Sequence, residues 1–175
     1  AALTIEDTLL PSAFGAARPT LVSREEGVGK LRAALAARGD AATVIVARTS
    51  ATHIADTAEA VARARLYADE RPDALFLAGL RSADQLVAVA AAIPGVPLVL
   101  GGAEVGLDAP RLARHGVRLV LQGHQPFLAA VEAVRATLTA LREGAAPAGL
   151  ASAETLRRAS RDAEWRARAR AFLGA

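Results

Sequence analysis

Ile5-Glu6-Asp7-Thr8-Leu9-Leu10-Pro11 decides how the rest of the chain is read. The apolar residues Ala1, Ala2, Leu3 and Ile5 run into two adjacent carboxylates, and a loop with Pro11, Ser12 and Gly15 follows. A buried strand delivering acids to its C-terminal end is how parallel α/β enzymes place their chemistry. Downstream the same plan repeats. Thr43 to Ala47 is a β-branched strand, and Ala55 to Glu70 a helix with an apolar stripe through Ala58, Val61, Ala62 and Leu66. Ala74 to Leu77 is the next strand. Ser82, with Gln85 at the capping-box position, opens a helix to about Ile93, where Pro94-Gly95 stops it. Pro97 to Leu100 is a strand ending at Gly101-Gly102. A short helix spans Pro110 to His115, Val117 to Leu121 is the last strand, and Pro126 opens a long helix to about Glu143.

Continuous apolar strands joined by helices predict a parallel sheet. No GxGxxG turn follows the first strand, so a doubly wound nucleotide-binding fold is disfavoured and a (β/α) barrel favoured. About five βα units are present where a closed barrel needs eight. The expectation is therefore a partial (β/α)8 TIM barrel over residues 1–144, with about three units upstream. The start without Met supports reading the chain as a later part of a larger enzyme. Residues 145–175 read as a helical tail after an Ala-Pro-Gly linker. Leu156, Trp165, Phe172 and Leu173 form its sparse apolar stripe, suited either to the outside of the barrel or to a neighbouring subunit.

Composition narrows the function classes. The chain has 175 residues, 53% hydrophobic and 22% charged, which is globular rather than disordered. It has no cysteine, hence no thiolate metal site and no cysteine nucleophile. The net charge is +3, but its basic residues alternate with Asp and Glu, even between Arg157 and Arg170. That excludes the coherent basic patch nucleic acid requires. No stretch approaches the roughly 18 uncharged residues of a membrane helix. The cytoplasm is the expected compartment.

Strand ends collect the candidate chemistry: Glu6 and Asp7, then Arg48, Thr49 and Ser50, then Gly101 and Gly102, then Gln122, Gly123 and His124. Carboxylates suit a hard cation, a guanidinium grips a carboxylate in two places, and a His exchanges protons near neutral pH. Together they suit a small anionic substrate at a divalent metal. Ser50 and Thr52 read as caps of the following helix, and His53 and His115 as structural.

Ile5-Glu6-Asp7, Val44 to Thr49, Gly79-Leu80-Arg81 and Pro94 to Leu98 resemble the isocitrate lyase/phosphoenolpyruvate mutase superfamily. Ala2 to Pro11, Phe14-Gly15, Glu25 to Lys30 and Gly123-His124 resemble its bacterial oxaloacetate decarboxylase branch. The resemblance implies Mg2+, with Mn2+ as an alternative, at the barrel mouth. It implies that Glu6 helps hold the metal through water, that Arg48 binds a substrate carboxylate, and that His124 stands near the substrate oxygens. The segment from Thr8 to Val22, with Thr8, Pro11, Phe14 and Gly15, matches a gating loop. A homotetramer exchanging C-terminal helices is implied as well. The expected reaction is decarboxylation of oxaloacetate to pyruvate and CO2 through an enolate.

Two departures qualify this. The loop reads Pro11-Ser12-Ala13-Phe14-Gly15, without the Lys-x-Cys-Gly-His type motif of the lyase branches. No Asp-x-Asp strand, the family's main metal-binding element, is present, so the chain by itself is expected to hold metal poorly and to be inactive. Alternatives are other 2-oxo acid reactions (phosphonopyruvate hydrolysis, phosphoenolpyruvate mutation, methylisocitrate lyase-like cleavage) or a non-catalytic partial barrel.

Overall fold

The computed structural model describes residues 1–11, 14–15, 18–39, 42–102 and 106–174. Its first compact unit, Ala1–Gly123, is built on five parallel strands in sequential order. They are β1 (Ala2–Glu6), β2 (Val44–Thr49), β3 (Ala74–Ala78), β4 (Leu98–Gly101) and β5 (Val117–Leu121). Helices α1 (Arg24–Ala37), α2 (Ala51–Ile54), α3 (Thr57–Asp69), α4 (Ala83–Ala92) and α5 (Ala109–Arg114) connect them. Every neighbouring pair runs parallel with its neighbour in chain order. That is the winding a barrel needs.

Side chains alternate across a strand, so register decides what each face carries. Ile45, Ala47, Leu75, Leu77, Leu98 and Leu100 point to one face and join Leu31, Ala60, Ala64, Leu86 and Val89 from the helices in one core. Glu6, Arg48 and Phe76 alternate with them and occupy consecutive positions across β1, β2 and β3 on the opposite face. All three stay partly exposed.

Local chemistry sets the helix starts. Ser23, Asp56, Ser82 and Asp108 each accept a hydrogen bond from a backbone N–H in the first turn of the helix they cap. Gln85 does not return to Ser82 as a capping box would; its Oε1 accepts from the N–H of Arg81 instead.

The expected helix from Ala55 to Glu70 is α3, and the short helix α2 precedes it. The expected stripe of α3 is corrected. Ala58 and Leu66 are exposed, while Ala60, Arg63, Ala64 and Tyr67 are buried. The reason is polar: Arg63 and Tyr67 reach inward to Asp7. Helix α1 was not anticipated, because Gly27 and Gly29 interrupt its helical pattern. Gly27 is needed there, since a Cβ would stand 2.3 Å from the Tyr67 hydroxyl.

The second compact unit, His124–Ala175, contains α6 (Gln125–Arg142), α7 (Ala153–Ala159) and α8 (Asp162–Leu173). Compactness thus divides the chain after Gly123, whereas the linker composition points to Gly144. Arg166 pairs with Asp162 at 2.7 Å and Arg168 with Glu164 at 2.6 Å, as an alternating solvated face would. Leu156, Trp165, Phe172 and Leu173 are exposed.

Candidate active site

The site is built at the C-terminal end of β1 and β2. Glu6 is the last residue of β1 and pairs in register with Arg48 of β2. Arg48 Nη1 lies 3.1 Å from Glu6 Oε2. The guanidinium also stands over the Phe76 ring, 5.2 Å from its centroid, within the range of a cation–π contact. Arg48 Nε is buried and has no hydrogen-bond partner among the described residues. An unpartnered buried donor costs roughly 1–3 kcal/mol, so this N–H is available to a further acceptor.

Asp7 does something different. Its neighbour points to the partly exposed face, so Asp7 points to the helices, and only 1% of it is exposed. Its Oδ1 accepts from the Ser50 N–H at 3.1 Å. Its Oδ2 accepts from Tyr67 Oη at 3.1 Å and from Arg63 Nη1 at 3.3 Å. Arg63 donates further to the Val22 carbonyl at 2.8 Å and to Glu59 at 2.7 Å. Burial, then the Asp7 charge, push the Tyr67 hydroxyl up to about 12. The Arg24 hydrogen bond, aided by Arg63, pulls Glu59 down to about 2 against the opposing effect of its burial. The expectation that both strand-end carboxylates face the chemistry is corrected: Asp7 is a structural anchor, and Glu6 alone faces Arg48.

Ser50 stands at the N-cap of α2 as expected, though without a side-chain cap bond, and Thr52 is corrected. Thr52 Oγ1 donates to the Ala78 carbonyl at 2.7 Å. His53, read as structural, has Nδ1 3.1 Å from the same carbonyl.

The Thr8–Val22 segment is drawn together at its base. The Leu9 N–H donates to the Thr20 carbonyl at 2.8 Å, the Val22 N–H to the Asp7 carbonyl at 2.9 Å, and Thr8 bridges antiparallel to Leu21. Thr8 is half-buried, with its hydroxyl 3.5 Å from that of Ser50. Pro11, Phe14 and Gly15 are exposed, Phe14 completely. Ser12 and Ala13 of this loop, and Ala103 after β4, lie outside the described residues. His124 is an exposed residue at the N-cap of α6, in the second compact unit.

The family model for phosphoenolpyruvate phosphomutase matches residues 1–142. The chain belongs to the phosphoenolpyruvate mutase family. Among its relatives are proteins named oxaloacetate decarboxylase. That of Bradyrhizobium sp. (strain ORS 278) is 51% identical over 99% of this chain, and that of Rhodopseudomonas palustris (strain BisB5) is 50% identical over 99%. The chain spans 62% of the first of these and 61% of the second. A solved phosphonopyruvate hydrolase, in complex with oxalate and Mg2+, is 32% identical with a TM-score of 0.77, covering 98% of this chain and 62% of that one. The phosphoenolpyruvate phosphomutase of Streptomyces platensis subsp. rosaceus has a TM-score of 0.80 over 98% of this chain and 63% of its own, at 24% identity, and shares the fold. The five βα units are accordingly part of a (β/α)8 barrel.

The metal that the resemblance implies finds a poor fit in the described residues. Glu6 is the one carboxylate directed to this face of β1, and Arg48 already engages it. No cluster of three or more potential ligands exists among the described residues. What they do form is a small cationic platform: a guanidinium held edge-on by a carboxylate and face-on by a ring. Such a platform grips a carboxylate. Phe76 was missed in the sequence, where it reads only as one more apolar residue of β3; only the strand register sets it beside Arg48.

Proposed function

We propose that this chain carries the substrate-gripping half of an oxaloacetate decarboxylase, converting oxaloacetate to pyruvate and CO2. The placement of Arg48 carries the proposal: it lies near the C-terminal end of a parallel strand, is held by Glu6 and Phe76, and keeps a buried Nε without a partner among the described residues. Relatives named oxaloacetate decarboxylase, about half identical across nearly the whole chain, supply the reaction.

In this proposal Arg48 binds a substrate carboxylate and fixes the 2-oxo acid for reaction. The C3–C4 bond breaks, CO2 leaves, and the electron pair moves to the C2 oxygen to give an enolate. Preorganised positive charge lowers the energy of that oxyanion. A proton delivered to C3 completes pyruvate. The segment around Thr8, Pro11, Phe14 and Gly15 is the proposed gate that excludes water. Glu6 sets the direction of Arg48. Mg2+, or Mn2+ in its place, belongs to the proposal as the family's cofactor. A homotetramer in the cytoplasm completes the picture.

The test is pyruvate release from oxaloacetate by the complete reading frame that contains this chain, with Mg2+ and with EDTA, after subtraction of the protein-free blank. Turnover abolished in Arg48→Ala supports the proposal. Turnover no faster than the blank redirects it to other 2-oxo acids. Phosphonopyruvate is then the first substrate to try, because a phosphonopyruvate hydrolase shares this fold at 32% identity.

A further inference from the structure

We infer that Phe76 is the positioning residue for Arg48 and that Gly101 is the seat that holds the Phe76 ring in place. This rests on reading Arg48 as the carboxylate-binding group. Arg48 needs such a hold. Among the described residues its guanidinium has one charged partner, Glu6, on Nη1. Its Nε has none. A single ion pair at a partly exposed site leaves a long arginine side chain several rotamers. The Phe76 ring removes that freedom by covering one face of the guanidinium.

The ring is itself constrained. Phe76 pairs with Val99, and Gly101 lies two residues further along β4, diagonal to Phe76 on the same face. A Cβ on Gly101 would stand 2.6 Å from Phe76 Cε2 and 2.8 Å from Cζ. Real Cβ atoms do not approach that closely, so an alanine there forces the ring to move. The backbone of Gly101 is a strand, with no left-handed turn to demand glycine. The demand comes from the ring. Gly101 thereby acts on Arg48 from two strands away, through Phe76.

The first measurement is the Nε–Hε resonance of Arg48 by 1H–15N NMR, assigned through its loss in Arg48→Lys. A buried donor beside a ring should exchange slowly and be displaced from the bulk arginine position by the ring current. In Phe76→Leu it should return to bulk, and in Gly101→Ala it should shift. The second measurement is calorimetric titration of the complete enzyme that contains this chain with oxalate in the presence of Mg2+. Phe76→Leu and Gly101→Ala should each weaken binding about threefold to tenfold, the scale of a cation–π contact and the ordering it provides. The double variant should be no weaker than Phe76→Leu alone, because leucine lacks the Cε2 and Cζ that the new methyl meets.

An Arg48 resonance unmoved in Phe76→Leu overturns the inference whatever the titrations give. Additive losses in the double variant overturn the role of Gly101. If Gly101→Ala does not fold, the resonance in Phe76→Leu decides alone. A protein whose resonance responds as described but which binds no oxalate overturns the functional reading and leaves the hold of Phe76 on Arg48 established.

Discussion

Arg63 and Asp7, separated by 56 positions in the sequence, meet in the interior with Nη1 3.3 Å from Oδ2. Their side chains are 5% and 1% exposed. This pair, with Tyr67 and the Ser50 N–H, ties α3 to the end of β1 and to the start of α2. Through the Val22 carbonyl it also fixes the far end of the Thr8–Val22 segment. Breaking a buried pair leaves an uncompensated charge, which costs about 3–5 kcal/mol. Asp7→Ala should therefore lower the unfolding free energy by about that much in a urea titration. A loss under 1 kcal/mol would mean that Arg63 finds water or another acid, and that Asp7 is no anchor.

The same network explains a glycine inside a helix. Glycine ordinarily weakens a helix interior by up to 1 kcal/mol relative to alanine. At position 27 alanine should instead destabilise, by about 1–3 kcal/mol, because its methyl would stand 2.3 Å from the Tyr67 hydroxyl. Removing the hydroxyl leaves the ring carbon at 3.1 Å as the nearest atom. Thermal melts of Gly27→Ala, Tyr67→Phe and the double variant form a cycle. Gly27→Ala should cost clearly less in the Tyr67→Phe background; strict additivity would place the origin of the cost elsewhere.

Apolar periodicity made the strands and most helices legible, because burying Ile45, Leu75 or Leu98 is a requirement a hydropathy pattern records directly. The cap at Ser82 was legible for a similar local reason. Asp7, Arg63 and Tyr67 were not. Three polar residues far apart in sequence gain their meaning only by meeting, and an arginine on the inner face of α3 reads as solvated until its partners are known. Glu6 and Arg48 fell within reach because both lie at the C-terminal ends of strands. Phe76 did not, since its ring serves Arg48 through strand register rather than through any motif.

Acid should loosen the junction between α1 and α3. Glu59, bonded to Arg24 and Arg63, has its carboxyl lowered to about 2 from 4.5, chiefly by the Arg24 hydrogen bond. A folded-state value below the unfolded one means stability that is present above pH 4.5 and is lost as pH falls toward 2. Arg24 is partly solvated, so screening reduces the contribution to the order of 1–2 kcal/mol. Tyr67 has the opposite sign: raised to about 12 from 10, it contributes stability below pH 10 that is lost as pH rises toward 12. Stability against urea measured from pH 6 to pH 2 should fall more steeply in the wild type than in Glu59→Gln. Parallel curves would assign acid unfolding to other carboxylates.

Arg48 and Glu6 should separate when tested by substitution. Arg48→Lys keeps the charge but loses the planar fork and its stacking on Phe76. If Arg48 grips a substrate carboxylate, losing one charge-assisted hydrogen bond worth about 1.5–3 kcal/mol should lower kcat/KM about 10- to 100-fold, mostly through KM. Glu6→Gln keeps the shape and a hydrogen-bond acceptor while removing the charge that holds Nη1. The guanidinium then turns more freely, so its KM should rise less than that of Arg48→Lys. Steady-state kinetics with oxaloacetate, read against melting temperatures, tell these apart. A Glu6→Gln variant more damaged in KM than Arg48→Lys would make the carboxylate, and not the guanidinium, the group that meets the substrate.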